Sequence, residues 1–168
     1  MRINEEPQKD QSSQSLIRTL LWMTLAYSIS YLGYLGRNQG LWFWYVSLRH
    51  PAWDLPTWAF TPIQTVVTGL IAMSLPSLAE FKPKTSAAVH IGLALLALCL
   101  MATDGWIYFA KHMFVGSLVA QVLAGLCLAA LVGAVRKSKP NIAFWFVLCL
   151  LAQTFQIALV YATWKLNP

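Results

Sequence analysis

A single carboxylate lies inside an apolar stretch of the sequence and is the first candidate for chemistry. Asp104 follows a run rich in Leu and Ala, whereas the other five acidic residues lie in the amino-terminal tail or between apolar runs. A charged group inside a membrane is costly, so it should face the interior of a helix bundle or a wet cavity. Two interpretations stay open: a polar group at the mouth of a ligand pocket, or a structural ion pair. Tyr108, Lys111 and Arg49 are its candidate neighbours.

Glutamines also interrupt apolar segments. Gln153 and Gln156 are three residues apart, so they share one side of a helix, and Gln64 and Gln121 lie in other runs. Amides in lipid seek partners, so these side chains should point inward. They either join helices to each other or form hydrogen bonds to a ligand.

Three tryptophans could provide flat surfaces for a ring system. Trp53 and Trp58 lie in a proline-rich segment, and Trp106 closely follows Asp104. Tryptophan is also common at membrane interfaces without any ligand. Stacking on a macrocycle and anchoring at the interface therefore both remain open.

Catalytic and metal sites have little support in the sequence. No Ser–His–Asp or Cys–His set, paired carboxylates or phosphate loop is evident. The three cysteines form no C-x-x-C pair. His90 and His112 stand at opposite ends of one predicted helix, about 33 Å apart, and cannot share an iron. We expect no catalytic residues, no metal site and no required cofactor.

The composition identifies the elements that must position these groups. Of 168 residues, 58% are hydrophobic and 11% are charged, against about 25% charged in a soluble domain. Five apolar runs are long enough, or nearly so, to cross a bilayer. The sequence predicts an all-α integral membrane bundle of five helices over 16–168, after a disordered polar tail over 1–15. The predicted spans are 16–35, 57–78, 89–109, 114–135 and 142–164.

The positive charges follow the predicted loops. A net charge of +6 could indicate nucleic-acid binding, but that function needs basic residues clustered on one face. Eight of the twelve Lys and Arg fall on the side of the amino terminus, which places that terminus in the cytoplasm. We expect membrane lipid around the chain, no nucleic-acid partner and, by default, a bacterial inner membrane.

Small residues recur at four-residue spacing in the fourth span. Gly125, Ala129 and Gly133 would let another helix approach closely. The partner is either a helix of the same chain or a second copy in a homodimer.

The segment 44–69, WYVSLRHPAWDLPTWAFTPIQTVVTG, carries a family resemblance. It resembles the signature of the tryptophan-rich sensory protein / translocator protein family, TspO/MBR, also called the peripheral benzodiazepine receptor family. The carboxyl-terminal Trp164-Lys165-Leu166-Asn167 resembles the family's W-R-L-N. The matching residues of the signature are Trp44, Tyr45, Leu48, Pro51, Trp53, Pro56, Trp58, Phe60, Pro62 and Thr65.

The chain departs from the family pattern at several pocket positions. His50 stands where the family has lysine, and Gln121 stands at or next to an acidic residue. These departures indicate a divergent member with altered pocket chemistry. The other departures are Leu55, Gln64, Thr68, Thr103, Ala152, Gln156 and Val160.

The resemblance implies a five-helix bundle, often dimeric, with a pocket beneath the first loop. Family members bind porphyrins and haem, sterols or benzodiazepine-type drugs, so the chain is expected to be a receptor, sensor or carrier for tetrapyrroles, with a sterol-like ligand as another candidate. Two stretches, 32–37 and 159–165, fit a loose sterol-recognition pattern, and the second overlaps the family's sterol-linked segment. Two alternatives are a scaffold subunit with a degenerated pocket and a light-dependent porphyrin-degrading enzyme.

The expected ligand-binding residues are Trp53, Trp58, Asp104, Trp106, Gln121 and Gln156, and the expected lid residues are Trp44, Tyr45 and Pro51.

Overall fold

A computed structural model describes residues 6–167, and the described chain is helical with no strand. Two helices continue into π-helical turns, Leu41–Tyr45 after the first and Gly105–Ala110 after the third, and a 3₁₀ turn, Thr57–Ala59, precedes the second. The five helices are α1 Glu6–Gly40, α2 Phe60–Leu78, α3 Lys84–Asp104, α4 Phe114–Val135 and α5 Pro140–Leu166.

Four of the helical segments in residues 6–167 are long and apolar enough to cross a membrane. The first and third of them have the bounds predicted from the sequence, while the other two extend a few residues further at their ends. The all-helical fold class is therefore confirmed, with four candidate spans and one further helix, α1. The candidate spans are Thr57–Leu78, Lys84–Ala110, Phe114–Val135 and Pro140–Leu166.

The first helix differs from its prediction at both ends. It begins at Glu6, inside the segment that was expected to be a disordered tail, while residues 1–5 lie outside the described part. Once a helix has nucleated, each added residue gains a hydrogen bond, and Gln, Glu and Lys have good helix propensity. Thr, Ser and Tyr side chains also lower the hydropathy of α1, which explains why it is not among the four candidate spans.

The helices form a closed ring in the order α1, α2, α5, α4, α3. Each helix packs against the two next to it in this order, and α3 returns to α1. The main core joins the inner faces of α2 to α5 around fully buried side chains such as Ile71, Leu98, Leu128 and Phe146. Residues 41–59, between α1 and α2, form loop one. A smaller aromatic cluster, around Tyr45 and Tyr108, closes the end of the bundle at this loop.

Glycines allow α1 to lie directly against the end of α3. A Cβ on Gly33 would stand 2.6 Å from the Cα of Ala102, and one on Gly105 would stand 2.3 Å from the carbonyl oxygen of Gly33. A Cβ on Gly36 would meet the ring of Trp106 at 2.6 Å. Glycine is required at positions 33 and 105 because the backbone of the other helix occupies the space that a side chain would take.

Polar contacts fasten the opposite end of the bundle. Lys139 Nζ donates to the carbonyl oxygen of Ser77 at 2.8 Å and pairs with Glu80 at 2.7 Å. Arg18 donates to the carbonyl oxygen of Pro76 at 2.7 Å. The end of α2 is thereby tied to both α1 and α5.

Candidate functional site

Asp104 is the centre of a buried polar cluster between α3 and α4. Its side chain accepts a short hydrogen bond from Ser117 and a 3.0 Å hydrogen bond from Gln121 Nε2. Ser117 and Gln121 stand one turn apart on α4, so both reach the same carboxylate. The residue is only 8% exposed, and it faces the bundle interior as expected.

The space beside this cluster is small. An inner cavity of about 30 Å³ is bounded by side chains from the loop-one ends of α1, α3, α4 and α5. It is comparable to the volume of a single water molecule. Gln121 Oε1 and Arg37 Nε are buried next to it without a hydrogen-bond partner. The lining residues are Arg37, Tyr45, Phe60, Asp104, Tyr108, Phe109, Gln121, Gln156, Leu159 and Val160.

A much larger groove opens on the outside of the bundle, between α1, the start of α2 and the end of α3. Its volume is about 550 Å³. Tyr27, Tyr31 and Tyr34 lie along its α1 wall, and the rings of the last two stack with centroids 6.1 Å apart. The lining, which we call the tyrosine groove, consists of Thr24, Tyr27, Ser28, Ser30, Tyr31, Gly33, Tyr34, Arg37, Thr61, Gln64, Thr65, Met101 and Ala102.

Arg37 belongs to both spaces. It lines the tyrosine groove together with Tyr34, and it lines the inner cavity together with Asp104. Its guanidinium carbon lies 5.8 Å from the centroid of the Phe109 ring. Among the side chains that the structure describes, those of 13–39 and 43–167, no carboxylate lies within 4.0 Å of its nitrogens. Arg37 therefore separates the groove from the inner cavity.

Loop one is held closed by a polar triad. Tyr45, at 2% exposure, donates to the carboxylate of Asp54 at 2.9 Å, and His50 Nδ1 lies 2.7 Å from the same carboxylate. His50 Nε2 lies 2.9 Å from the carbonyl oxygen of Tyr45. Tyr45 lies beyond the predicted first span, and burial and the Asp54 carboxylate raise its pKa. The phenol therefore remains a neutral donor.

The end of the chain also holds loop one. Asn167 Oδ1 accepts from the backbone N–H of Arg49 at 3.0 Å, and Asn167 Nδ2 donates to the carbonyl oxygen of Arg49 at 2.9 Å. The same amide donates to Thr163 on α5. This two-ended contact, the Asn167 latch, fastens loop one to α5.

The expected lid residues lie in or beside loop one. Trp44 packs over the turn between α3 and α4, where its ring stacks on His112 at 4.3 Å between centroids. His112 has a φ of 58°, which makes that turn tight. Pro51 accepts a backbone hydrogen bond from Asp54. Whether this loop acts as a lid stays a prediction.

The structure brings together only part of the expected ligand-binding set. Asp104, Gln121 and Gln156 line the inner cavity, whereas the three tryptophans line neither space. Trp58 is 72% exposed, and Trp53 is 47% exposed and meets Phe155 edge-on. Their ligand contacts stay predictions.

Trp106 was expected to line a ligand pocket, but in the structure it contacts α1. Its Nε1 donates to the carbonyl oxygen of Leu32 at 2.8 Å, and its ring covers Gly36. The indole therefore joins α3 to α1. Its expected contact with a ligand stays a prediction.

The neighbours that the sequence suggested for Asp104 are only partly the residues that surround it in the structure. Lys111 and Arg49 are exposed, whereas Ser117, Gln121 and Arg37 surround the carboxylate or its cavity. The π-helical turn after Asp104 widens the helix and changes the side that Lys111 occupies, which a plain 3.6-residue count does not anticipate.

The two remaining glutamines of the apolar segments lie in different places. Gln153 donates to the backbone oxygen of Gln121 at 3.2 Å and joins α5 to α4, whereas Gln64 lines the tyrosine groove. In the part of the chain whose side chains are described, no cluster of His, Cys, Asp and Glu could hold a metal ion.

The tyrosine stripe and Arg37 are missing from the set expected from the sequence. Tyr27, Tyr31 and Tyr34 recur at i, i+4 and i+7, which places them on one side of a helix. That spacing was available in the sequence, but nothing in it shows that this side opens on a groove.

The chain also matches known proteins. The model of the TspO/MBR family matches residues 19–165. The chain belongs to the TspO/MBR family. The family match and the apolar helices together identify an integral membrane protein. Protein CrtK of Rhodobacter capsulatus is 28% identical over 127 residues, which are 74% of this chain and 79% of that protein.

Proposed function

We propose that this TspO/MBR protein is a membrane receptor or carrier for hydrophobic ligands, with tetrapyrroles as the first candidates. The observation that carries the proposal is the tyrosine groove, at about 550 Å³. Ligand sites usually measure about 300–1,000 Å³ and combine apolar surface with a few polar groups. Three tyrosine rings and several hydroxyl groups supply this combination.

The inner cavity makes a different contribution. At about 30 Å³ it cannot accept a ring system while loop one is closed. The polar triad and the Asn167 latch must open before the expected pocket beneath the loop can receive a ligand. The groove needs no such opening, so we propose it as the first binding site.

The ligand site is tested by a titration of the full chain in nanodiscs with protoporphyrin IX, followed by tryptophan quenching. Thr65→Phe fills the groove, and Thr154→Phe is its matched control. Both threonines are exposed and bond the carbonyl four residues earlier at 2.8 Å. We expect saturation near one ligand per chain, lost in Thr65→Phe and kept in Thr154→Phe. Linear quenching that is equal in all three proteins would contradict the proposal.

We further propose that α1 crosses the membrane as a fifth span, with the amino terminus in the cytoplasm. Support comes from its packing along α2 and α3 and from its outward-facing leucines, such as Leu16, Leu20 and Leu32 at 57–63% exposure. A single cysteine at Ser138 in a chain without native cysteines should be protected from a membrane-impermeant maleimide in right-side-out vesicles, and one at Lys111 should react. Equal labelling of both positions would contradict this topology.

A homodimer through α4 is a separate proposal. Gly125 packs on Gln153 and Ile157 of the same chain, but Ala129 is exposed and a Cβ on Gly133 would meet nothing within 4 Å. The outer part of the stripe is therefore open to a second copy. Cysteines placed at Ala129 should form a crosslinked dimer, and cysteines at Phe144 on α5 should not.

The small inner cavity favours a second function, a scaffold subunit without a ligand. In that case a fixed protein partner should co-purify, and no saturable binding should be seen with porphyrins, sterols or benzodiazepine-type compounds. Saturation in the titration above would exclude this alternative.

A further inference from the structure

We propose that the tyrosine groove recognises its ligand as an anion, and that Arg37 receives a carboxylate of a membrane-dissolved tetrapyrrole. The inference rests on the proposed function and specifies its ligand class as acids rather than neutral ring systems. It also assigns a binding role to a residue outside the set expected from the sequence.

The first argument is the state of the Arg37 side chain. The guanidinium is partly buried, its Nε has no hydrogen-bond partner, and no carboxylate among the described side chains of 13–39 and 43–167 is in ion-pair distance. A buried cation without a direct counter-ion is costly. Arginine offers a planar fork of donors that matches a carboxylate in two hydrogen bonds. An acidic ligand would therefore complete this side chain.

The second argument is the charge of the groove. Arg37 is the one charged side chain among its described lining residues, and none of them is acidic. The other polar lining groups are hydroxyls and the amide of Gln64. A carboxylate at Arg37 therefore meets no like charge, and hydroxyl groups can donate to it.

The third argument is the position of Arg37 relative to the rings. Tyr34 lies one turn before Arg37, and Tyr31 and Tyr27 continue along the same wall. An amphipathic molecule with its acid at Arg37 can therefore lay its flat body along the tyrosines. Asp104 lines the inner cavity together with Arg37 and does not line the groove.

The experiment compares protoporphyrin IX with its dimethyl ester, which has the same ring and no ionised carboxylate. Both are titrated into the full chain in nanodiscs, with empty nanodiscs as the partition reference. The variants are Arg37→Gln, Arg37→Lys and the matched control Arg49→Gln. The Arg49 side chain is exposed in loop one, and only its backbone forms the Asn167 latch.

We expect the free acid to bind the unaltered chain about tenfold more tightly than the ester, which corresponds to about 1.4 kcal/mol, because hydrogen bonds to a charged group are stronger than those between neutral groups. Arg37→Gln should remove this preference, with the Kd of the acid rising about tenfold and that of the ester unchanged. Arg37→Lys should keep part of the preference, and Arg49→Gln should keep all of it.

The alternative outcomes separate the inference from the proposed function. If acid and ester bind equally and both are lost in Thr65→Phe, the groove is the site and the role of Arg37 is wrong. If neither compound saturates, the proposed function itself is wrong. Should Arg37→Gln fail to fold, the acid and ester comparison in the unaltered chain still decides the preference for an anion.

Discussion

At the scale of single residues, the position of Asp104 is decided by its partners on α4. A carboxylate at this depth persists because Ser117 and Gln121 donate to it and Arg37 stands across the same small cavity. Hydrogen bonds to a charged group contribute more than those between neutral groups. The cluster therefore fixes how α3 and α4 pack.

Replacing Ser117 with alanine should destabilise the protein by about 1.5–3 kcal/mol, because the buried carboxylate loses a donor. Ser74→Ala is the matched control. Both serines are fully buried in helices, but Ser74 donates only to the carbonyl oxygen of Ile71. That change should cost about 0.5–1.5 kcal/mol. The measurement is the free energy of unfolding in mixed micelles, and equal losses would show that Asp104 does not depend on Ser117.

At the scale of helices, the close contact of α1 with α3 sets the shape of the tyrosine groove. Gly33 lies against Ala102 and Gly105, and Trp106 covers Gly36. The same contact positions Tyr34 and Arg37 on the wall of the groove. A wider separation of these helices would change both the groove and the position of the cation.

Gly105→Ala should therefore be destabilising by about 1–3 kcal/mol or more, as overpacking of a tight core generally is. The new Cβ would stand 2.3 Å from the carbonyl oxygen of Gly33, which is backbone and cannot rotate away. Gly92→Ala, in the same helical segment Lys84–Ala110, is the control because its Cβ would meet nothing within 4 Å. Gly92→Ala should be neutral or slightly stabilising, since alanine favours helix. Thermal unfolding that is unchanged in Gly105→Ala would contradict the close contact.

The pair at the other end of the bundle predicts a pH dependence. A hydrogen bond from Lys139 lowers the pKa of Glu80, which lies in the loop between α2 and α3. Its stabilising contribution is therefore present above its ordinary pKa of 4.5 and is lost as the pH falls further. Exposed pairs contribute about 0.2–1 kcal/mol. The Tm of the protein should exceed that of Glu80→Gln at pH 7, and the two should converge as the pH falls through the lowered pKa of Glu80. A difference that stays constant with pH would contradict this pairing.

At the scale of the whole molecule, loop one and the carboxyl-terminal segment form one unit. Asn167 binds both backbone groups of Arg49 across 118 positions of sequence. The polar triad of Tyr45, His50 and Asp54 holds the same loop from within. Access to the inner cavity therefore depends on the end of α5 as well as on the loop.

Asn167→Ala should release loop one, because three hydrogen bonds are lost at about 0.5–1.5 kcal/mol each. Tryptic cleavage after Arg49 should accelerate at least tenfold, since 1.4 kcal/mol changes a local opening equilibrium tenfold. Asn141→Ala, an exposed asparagine at the start of α5, is the control. Cleavage at an unchanged rate in Asn167→Ala would show that the latch does not hold the loop.

The membrane class, the four apolar helices and the family could all be predicted from the order of the amino acids alone. Hydropathy and the loop-one signature are local properties, so no tertiary information is needed for them. The sequence also indicated that Asp104 faces inward, because a carboxylate among apolar residues has few other positions. It brought Gln121 and Gln156 into the expected site through their resemblance to pocket positions.

Which side of each helix meets a cavity could not be predicted in this way and follows from how the helices pack. The π-helical turn after Asp104 changed its neighbours, and the glycine contact of α1 with α3 opened the groove beside Arg37. Trp53 and Trp106 lie outside both spaces because an edge-on contact with Phe155 and a hydrogen bond to Leu32 place them elsewhere, and Trp58 is mostly exposed. The physical reason is that a side chain's surroundings depend on helix rotation and on close backbone contacts between segments far apart in sequence, which periodicity within one segment does not contain.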